Sequence, residues 1–195
     1  MPYTRPDDSL VLEGIITTLS SEGHVNIAPM GPIVDPHTQF MVLRPFKTST
    51  TYKNLKATGE GVFHITDDVL LMARAAIGEV QPSEHVPVRN AERVTGLILA
   101  DACRYYELQV ASLDDLEHRV TIEVRVVAAG RLRDFIGFNR ARHAVLEAAI
   151  LATRVHLSSP DLILDQMKDL QVLVDKTGNQ NEHQAMHELR EYVNQ

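Results

Sequence analysis

The sequence predicts a mainly β fold of the α+β class, with strands up to about residue 136 and helices beyond it. Three observations carry this reading. Runs rich in β-branched residues, separated by Gly, Pro and Asp/Ser turn signals, follow one another through the first part of the chain. Within "TIEVRVV" (residues 121–127) the alternation is clean: Ile122, Val124 and Val126 face one way, Thr121, Glu123 and Arg125 the other. From Phe138 the period changes, and "NRARHAVLEAAILATRVHL" is Ala- and Leu-rich, the composition of a helix.

"LVLEGIITTL" (10–19) reads as a first strand, "SSEG" as a turn and "HVNIAPM" (24–30) as a second strand. On that strand Val25 and Ile27 share one face, Asn26 and Ala28 the other; Pro29, Gly31 and Pro32 close it. "VDPHTQ" (34–39) is a turn and "FMVLR" (40–44) a third strand. A helix of two to three turns is expected from about Thr50 to Ala57, broken by Gly59 and Gly61 before a fourth strand, "GVFHIT" (61–66). "DDVLLMARAAI" (67–77) predicts a short amphipathic helix capped by Asp67 or Asp68. From Gly78 to about Leu99, with Pro82 and Pro87, the chain is expected to be irregular. "RYYELQVASLDD" and "HRVTIEVRVVAAGRL" supply the fifth and sixth strands as a long hairpin turning near Asp114–Glu117.

The helical part divides into three. "NRARHAVLEAAILATRVHL" (139–157) is apolar over much of its circumference, which predicts burial on more than one side; a subunit interface is a natural place for it. "SSPDLILDQMKDLQVLVDKTG" (158–178) has a Ser N-cap, Pro160 in its first turn and Gly178 after its end. "NEHQAMHELREYVNQ" (181–195) is a polar amphipathic helix. The expected division is residues 1–136 and 137–195.

Composition restricts the function. The chain has 195 residues, 26 acidic against 19 basic, and a formal charge of -7 without a long Lys/Arg run. That balance argues against nucleic acid, whose binding rests on phosphate neutralisation. With no Trp and 5% aromatics, stacking platforms for single strands are scarce. The single cysteine, Cys103, fits a reducing compartment. "MPYTRPDDSLVLEG" has no apolar core of a signal peptide, and no apolar run approaches the roughly 18–20 residues that span a bilayer. The expectation is a cytoplasmic protein without membrane contact.

One stretch invites a chemical reading: "RPFKTSTTYKNLKATGEGVFHIT" (44–66). Arg44 and Lys47 precede four consecutive hydroxyls, Thr48, Ser49, Thr50 and Thr51, at the start of a helix. A helix N-terminus presents unsatisfied N–H groups and partial positive charge, so these residues could hold a phosphate. The plainer reading is an ordinary Ser/Thr cap with a surface lysine. Arg131, Arg133, Arg140, Arg142 and His143 form a basic cluster read either as ion pairs or as a second anionic site, over which Arg89 and Arg93 could close. His183 and His187 share a helix face but lack the glutamate of a zinc-hydrolase helix, and a solvated face is the better reading. Cys103 reads as a small core residue. Neither GxSxG nor a Walker loop is present.

"EGHVNIAPMG" (22–31), "FMVLR" (40–44) and "KTSTTYKNLKATGEGVFHI" (47–65) stand in the order and at the separations of "DGxxNxAPxS", an apolar strand, and "KxTxxNIxxTGEFxVN". That pattern is one of flavin-reductase-like FMN-binding split barrels, which the chain resembles closely over residues 22–66 and in strand order up to 136. The whole chain, helices included, resembles domain-of-unknown-function family 447, split-barrel flavoproteins with a helical C-terminal extension. The resemblance implies a six-stranded antiparallel Greek-key barrel, with residues 137–195 packed on it or on a dimer partner. It implies a homodimer with FMN at the interface. Lys47, Thr48, Ser49, Thr50 and Thr51 would then hold the FMN phosphate, with Arg44 adding charge. Asn26, Ala28, Pro29, Met30 and Gly31 would run beside the isoalloxazine. The pattern has Asn where this chain has His64, and a hydroxyl where it has Gly31.

The function so implied is an FMN-dependent oxidoreductase acting on a small soluble substrate of nicotinamide, deazaflavin or pterin type. No protein side chain need act as catalyst and no metal is called for. The alternative is a protein that binds FMN, or another phosphorylated ligand, without turnover; a third reading is a structural dimer with an empty site.

Overall fold

The computed structural model describes residues 7–35, 39–78, 80–83, 85–117 and 119–195; the turn expected at 34–39 falls largely on 36–38, outside the described residues. Two compact units emerge, residues 1–66 with 81–134, and residues 67–80 with 135–195.

The first unit is built on strands β1 (Leu10–Val11), β2 (Gly14–Leu19), β3 (Val25–Met30), β4 (Ile33–Val34) and β5 (Phe40–Leu43), helix α1 (Thr50–Thr58) and strand β6 (Glu60–Ile65). Strands β7 (Val88–Asn90), β8 (Leu97–Leu99), β9 (Arg104–Asp114) and β10 (Thr121–Arg131) complete it, α2 belonging to the second unit. Eight of these strands form one curled, split-barrel-like antiparallel sheet in the order β1-β4-β5-β10-β9-β6-β2-β3. The six-stranded sheet expected from sequence is therefore eight-stranded among the described residues, with β7 and β8 forming a separate pair. The predicted strand over 10–19 breaks at Leu12–Glu13, where Leu12 N–H turns to the Pro32 carbonyl (3.0 Å). The released piece, β1, pairs with β4, a two-residue strand too short to show any period.

The alternation read from "TIEVRVV" holds in space: Ile122 and Val124 are wholly buried while Glu123 and Arg125 are exposed. With Ile16, Met41, Leu43, Phe63 and Leu108 they form the core of the curl, closed on one side by Leu55 of α1. Side chains of this size each stabilise by about 1.5–3 kcal/mol when fully buried. The long β9–β10 hairpin shifts register between Glu123 and Val124 and again between Val126 and Ala128, irregularities of the kind that bend a strand pair. Pro29 fits within β3 because β3 lies at the sheet edge.

The span from 78 to 99, expected to be irregular, holds the small β7–β8 sheet. Its connection is anchored from below by a buried carboxylate: Glu107 accepts the N–H groups of Glu92 (3.0 Å), Arg93 (2.6 Å) and Val94 (3.1 Å). Glu60 accepts Thr95 N–H at 2.8 Å. Three-residue strands give no readable alternation, and the anchoring carboxylate is remote in sequence.

The second unit holds helices α2 (Val69–Ala76), α3 (Arg140–Ala152), α4 (Pro160–Thr177) and α5 (Gln180–Val193). The α3 stripe Ala141, Ala144, Val145, Ala148, Ala149 and Ala152 is buried and packs with Ile163 and Met167 of α4, Met186 and Leu189 of α5, and Ala73 of α2. Small residues on one stripe let three helices approach closely, so the cover expected for this apolar helix comes from its own unit. Caps are as predicted for α4, with Ser159 at the N-cap and Pro160 at the first position. Asn179 and Glu182 form a capping box on α5. Among the described residues, no helix is long and apolar enough to cross a membrane.

Candidate functional site

Helix α1 begins where its residues require. Ser49 is extended (φ -71°, ψ 147°), accepts Tyr52 N–H at 3.2 Å and donates its own hydroxyl proton to the Phe46 carbonyl at 2.8 Å. The helix stops at Gly59, whose φ of +72° needs glycine, with Gly59 N–H donating to the Leu55 carbonyl.

The four hydroxyls therefore divide. That of Ser49 is committed to the cap. That of Thr51 is buried and accepts from Asn26 Nδ2 on β3 at 3.1 Å. Asn26 Nδ2 also donates to Thr18 Oγ1 (3.3 Å), which accepts a second bond from Asn54 Nδ2 (3.1 Å). This network of Asn26, Thr18, Asn54 and Thr51 pins the first turns of α1 to β2 and β3. Thr48 and Thr50 are exposed and Lys47 is half-buried. Among the described residues, neither hydroxyl nor the Lys47 ammonium makes a hydrogen bond. Arg44 is half-buried at the end of β5.

On the strand side, β3 is the last strand of the sheet, so one row of its backbone N–H and C=O groups is left unpaired by the sheet. Ala28, Pro29, Met30 and Gly31 are half-buried along it. A Cβ at Gly31 would lie 2.9 Å from Val11 Cγ1 and 3.1 Å from the Glu13 carboxylate, so a larger residue there would have to displace those side-chain tips. The structure thus brings the β3 and α1 residues together through Asn26 and Thr51. The Ser49 and Thr51 hydroxyls serve the fold, while Lys47, Thr48 and Thr50 remain open to a ligand.

Sequence reading missed a second support of the same region. Tyr52 Oη donates to Asp115 Oδ2 at 2.6 Å, and Lys56 Nζ donates to the same oxygen at 2.7 Å and to Tyr52 Oη at 3.1 Å. The hydrogen bond from Lys56, then that from Tyr52, holds the Asp115 carboxyl down to about 2, with the Lys47 charge contributing. Lys56 is pushed well above its ordinary range by the same bond. In sequence Asp115 reads only as a hairpin-turn residue, and nothing local points to α1.

The remaining candidates resolve as structure. Arg142 lies between Asp67 Oδ2 and Glu182 Oε1, each at 3.2 Å. Arg131 pairs with Asp134, and Arg133 donates to the carbonyls of Asp101 (2.8 Å) and Asp134 (3.1 Å). The ion-pair reading of the basic cluster is the one these contacts favour. Arg89 stacks over the Tyr105 ring at 5.2 Å and Arg93 is exposed. His183 and His187 are exposed, and no group of His, Cys, Asp and Glu able to hold a metal occurs among the described residues. Cys103 is buried in the first unit.

Two family models match the chain: "Protein of unknown function (DUF447) N-terminal domain" over residues 12–133 and "Protein of unknown function (DUF447)" over residues 139–191. Among solved structures, an FMN-bound DUF447 protein from Methanosarcina mazei has a TM-score of 0.82 at 24% identity, over 93% of this chain and 94% of that one. Flavoredoxin from Methanosarcina acetivorans has a TM-score of 0.53 at 12% identity, over 67% and 73%. Component B of nitrilotriacetate monooxygenase from Bacillus cereus has 0.51 at 18%, over 63% and 70%. At these identities the likeness is one of fold.

Proposed function

This chain belongs to the DUF447 family, and we propose that it binds FMN and acts as a flavin-dependent oxidoreductase on a small soluble redox substrate of nicotinamide, deazaflavin or pterin type. The observation that carries the proposal is the Asn26–Thr51 hydrogen bond, which joins the sheet edge to the helix N-terminus as one cradle. The donor set suits a flavin mononucleotide. Lys47, Thr48, Thr50 and the first N–H groups of α1 meet a dianionic phosphate, charge-assisted bonds of roughly 1.5–3 kcal/mol each. Arg44 adds charge from the end of β5. The backbone of Asn26 to Gly31 meets the polar edge of the ring system. That the Methanosarcina mazei relative is FMN-bound supports the same reading.

Bound FMN would supply the hydride or electron chemistry. The chain's own residues bind the phosphate, orient the ring against β3 and exclude water from it; no side chain in the cradle need move a proton. The working form is a homodimer. The test is a visible absorption spectrum of the purified protein carried through gel filtration with light scattering. Flavin bands shifted from free FMN, in a peak of twice the chain mass, are expected; reduced nicotinamide and deazaflavin then serve as donor candidates. A protein that takes up no flavin at excess FMN contradicts the proposal, and bound flavin that no donor reduces leaves only the binding half.

A further inference from the structure

We propose that the tip of the β9–β10 hairpin is the positioning element of the phosphate cradle and that Asp115 is the residue through which it acts. The inference rests on the FMN reading above and adds to it a residue with no part in the recognised sequence pattern.

The geometry places the tip on both sides of the cradle's basic residue. Upstream of Lys47, Val120 N–H donates to the Pro45 carbonyl at 3.0 Å, Phe46 and Arg119 form an antiparallel bridge, and the Arg119 guanidinium lies 4.9 Å from the Phe46 ring centroid. Downstream, Asp115 takes hydrogen bonds from Tyr52 and Lys56 on successive turns of α1. Residues 47–51 are thus held between two attachments to one hairpin.

Both attachments are long-range, so the first turn of α1 is fixed by tertiary contacts and not by its nine residues alone; a helix this short is marginal by itself. Asp115 is a carboxylate near a site proposed to take an anion, which looks contrary. Lys56 resolves this. Its ammonium, 2.7 Å from Asp115 Oδ2, is the main counter-charge of that carboxylate, with Lys47 acting on it only through space and making no hydrogen bond to it. Tyr52 carries the position inward: its ring is buried against the barrel core while its hydroxyl meets Asp115. Phosphate recognition depends on where N–H and hydroxyl donors point, and small displacements of a preorganised donor set cost large factors. Asp115 is therefore a positioning residue, acting on the phosphate through Tyr52 and α1.

The experiment compares FMN with riboflavin, which lacks the phosphate, by fluorescence titration of the full chain. The wild type is expected to prefer FMN at least tenfold, the worth of one good contact. Asp115→Ala and Tyr52→Phe should each narrow that preference about tenfold, with riboflavin affinity and melting temperature nearly unchanged, and Asp115→Glu should restore it. A preference unchanged in Asp115→Ala overturns the inference. So does a widened preference, which would mean that the carboxylate merely competes with phosphate for Lys47. Equal loss of both ligands overturns it too, as general destabilisation. A wild type that does not distinguish FMN from riboflavin overturns the phosphate reading itself and this inference with it.

Discussion

His64 is completely buried and yet carries two polar nitrogens, each of which has a partner. Leu99 N–H donates to Nε2 at 3.0 Å, so Nε2 carries no proton; Nδ1 lies 3.1 Å from the Ile15 carbonyl and must carry it. A neutral imidazole is the only form that satisfies both. Burial pushes its pKa down to about 4, against a smaller upward effect of the Ile15 carbonyl. The unfolded chain therefore binds more protons between about pH 6.5 and 4. Stability rises with pH across that window and is lost on acidification through it, by about 3 kcal/mol in all. Urea midpoints at pH 7 and pH 4.5 should show the loss, and His64→Asn should flatten it. A wild-type midpoint constant over that range would contradict the neutral, two-bond histidine. The family pattern places Asn at position 64, and the sequence alone offers no reason for the exchange. The reason is spatial: the side chain bridges β2 and β8, 49 and 35 residues away.

At the scale of elements, Arg142 shows how the helical unit is locked. It enters from α3 and is shared by Asp67, just before α2, and Glu182, in the first turn of α5; both carboxylates are nearly buried. Asp67 Oδ2 also accepts Ile136 N–H at 3.0 Å. Removing the cation leaves two carboxylates without their counter-charge in a low-dielectric setting. Arg142→Met should therefore destabilise by roughly 3 kcal/mol or more, read as a fall in the denaturation midpoint. A change below about 0.5 kcal/mol, the size of an exposed pair, would show that the pair is solvated. The existence of α2 to α5 was legible, because their residue patterns, and for α2 and α4 their caps, are local signals. That Arg142 belongs to this lock was not. In sequence it is one of five basic residues between 131 and 143, and its partners lie 75 and 40 residues away. The same distinction applies to strands: long β9 and β10 announced themselves, whereas β1, β4, β7 and β8, of two or three residues, are made by their partners.

For the molecule as a whole, residues 22–66 are proposed to build a phosphate-and-ring cradle on the edge of a curled sheet. The family pattern in "NIAP", "KTSTTYKN" and the glycine turn pointed to the two segments proposed to form that cradle. The contact between them was not legible, because it depends on Asn26 and Thr51 meeting across 25 residues and on Asp115, 63 residues from Tyr52 in sequence. Which hydroxyls face outward was also hidden: a run of four gives no orientation until the helix start is fixed at Thr50. The most direct measurement is an FMN titration of the wild type beside Lys47→Ala/Thr48→Ala, with circular dichroism to establish that both are folded. The double variant is expected to be folded, to purify colourless and to bind FMN about 100-fold more weakly, the loss of two charge-assisted contacts. A folded double variant that is yellow, with FMN affinity equal to wild type, would contradict it.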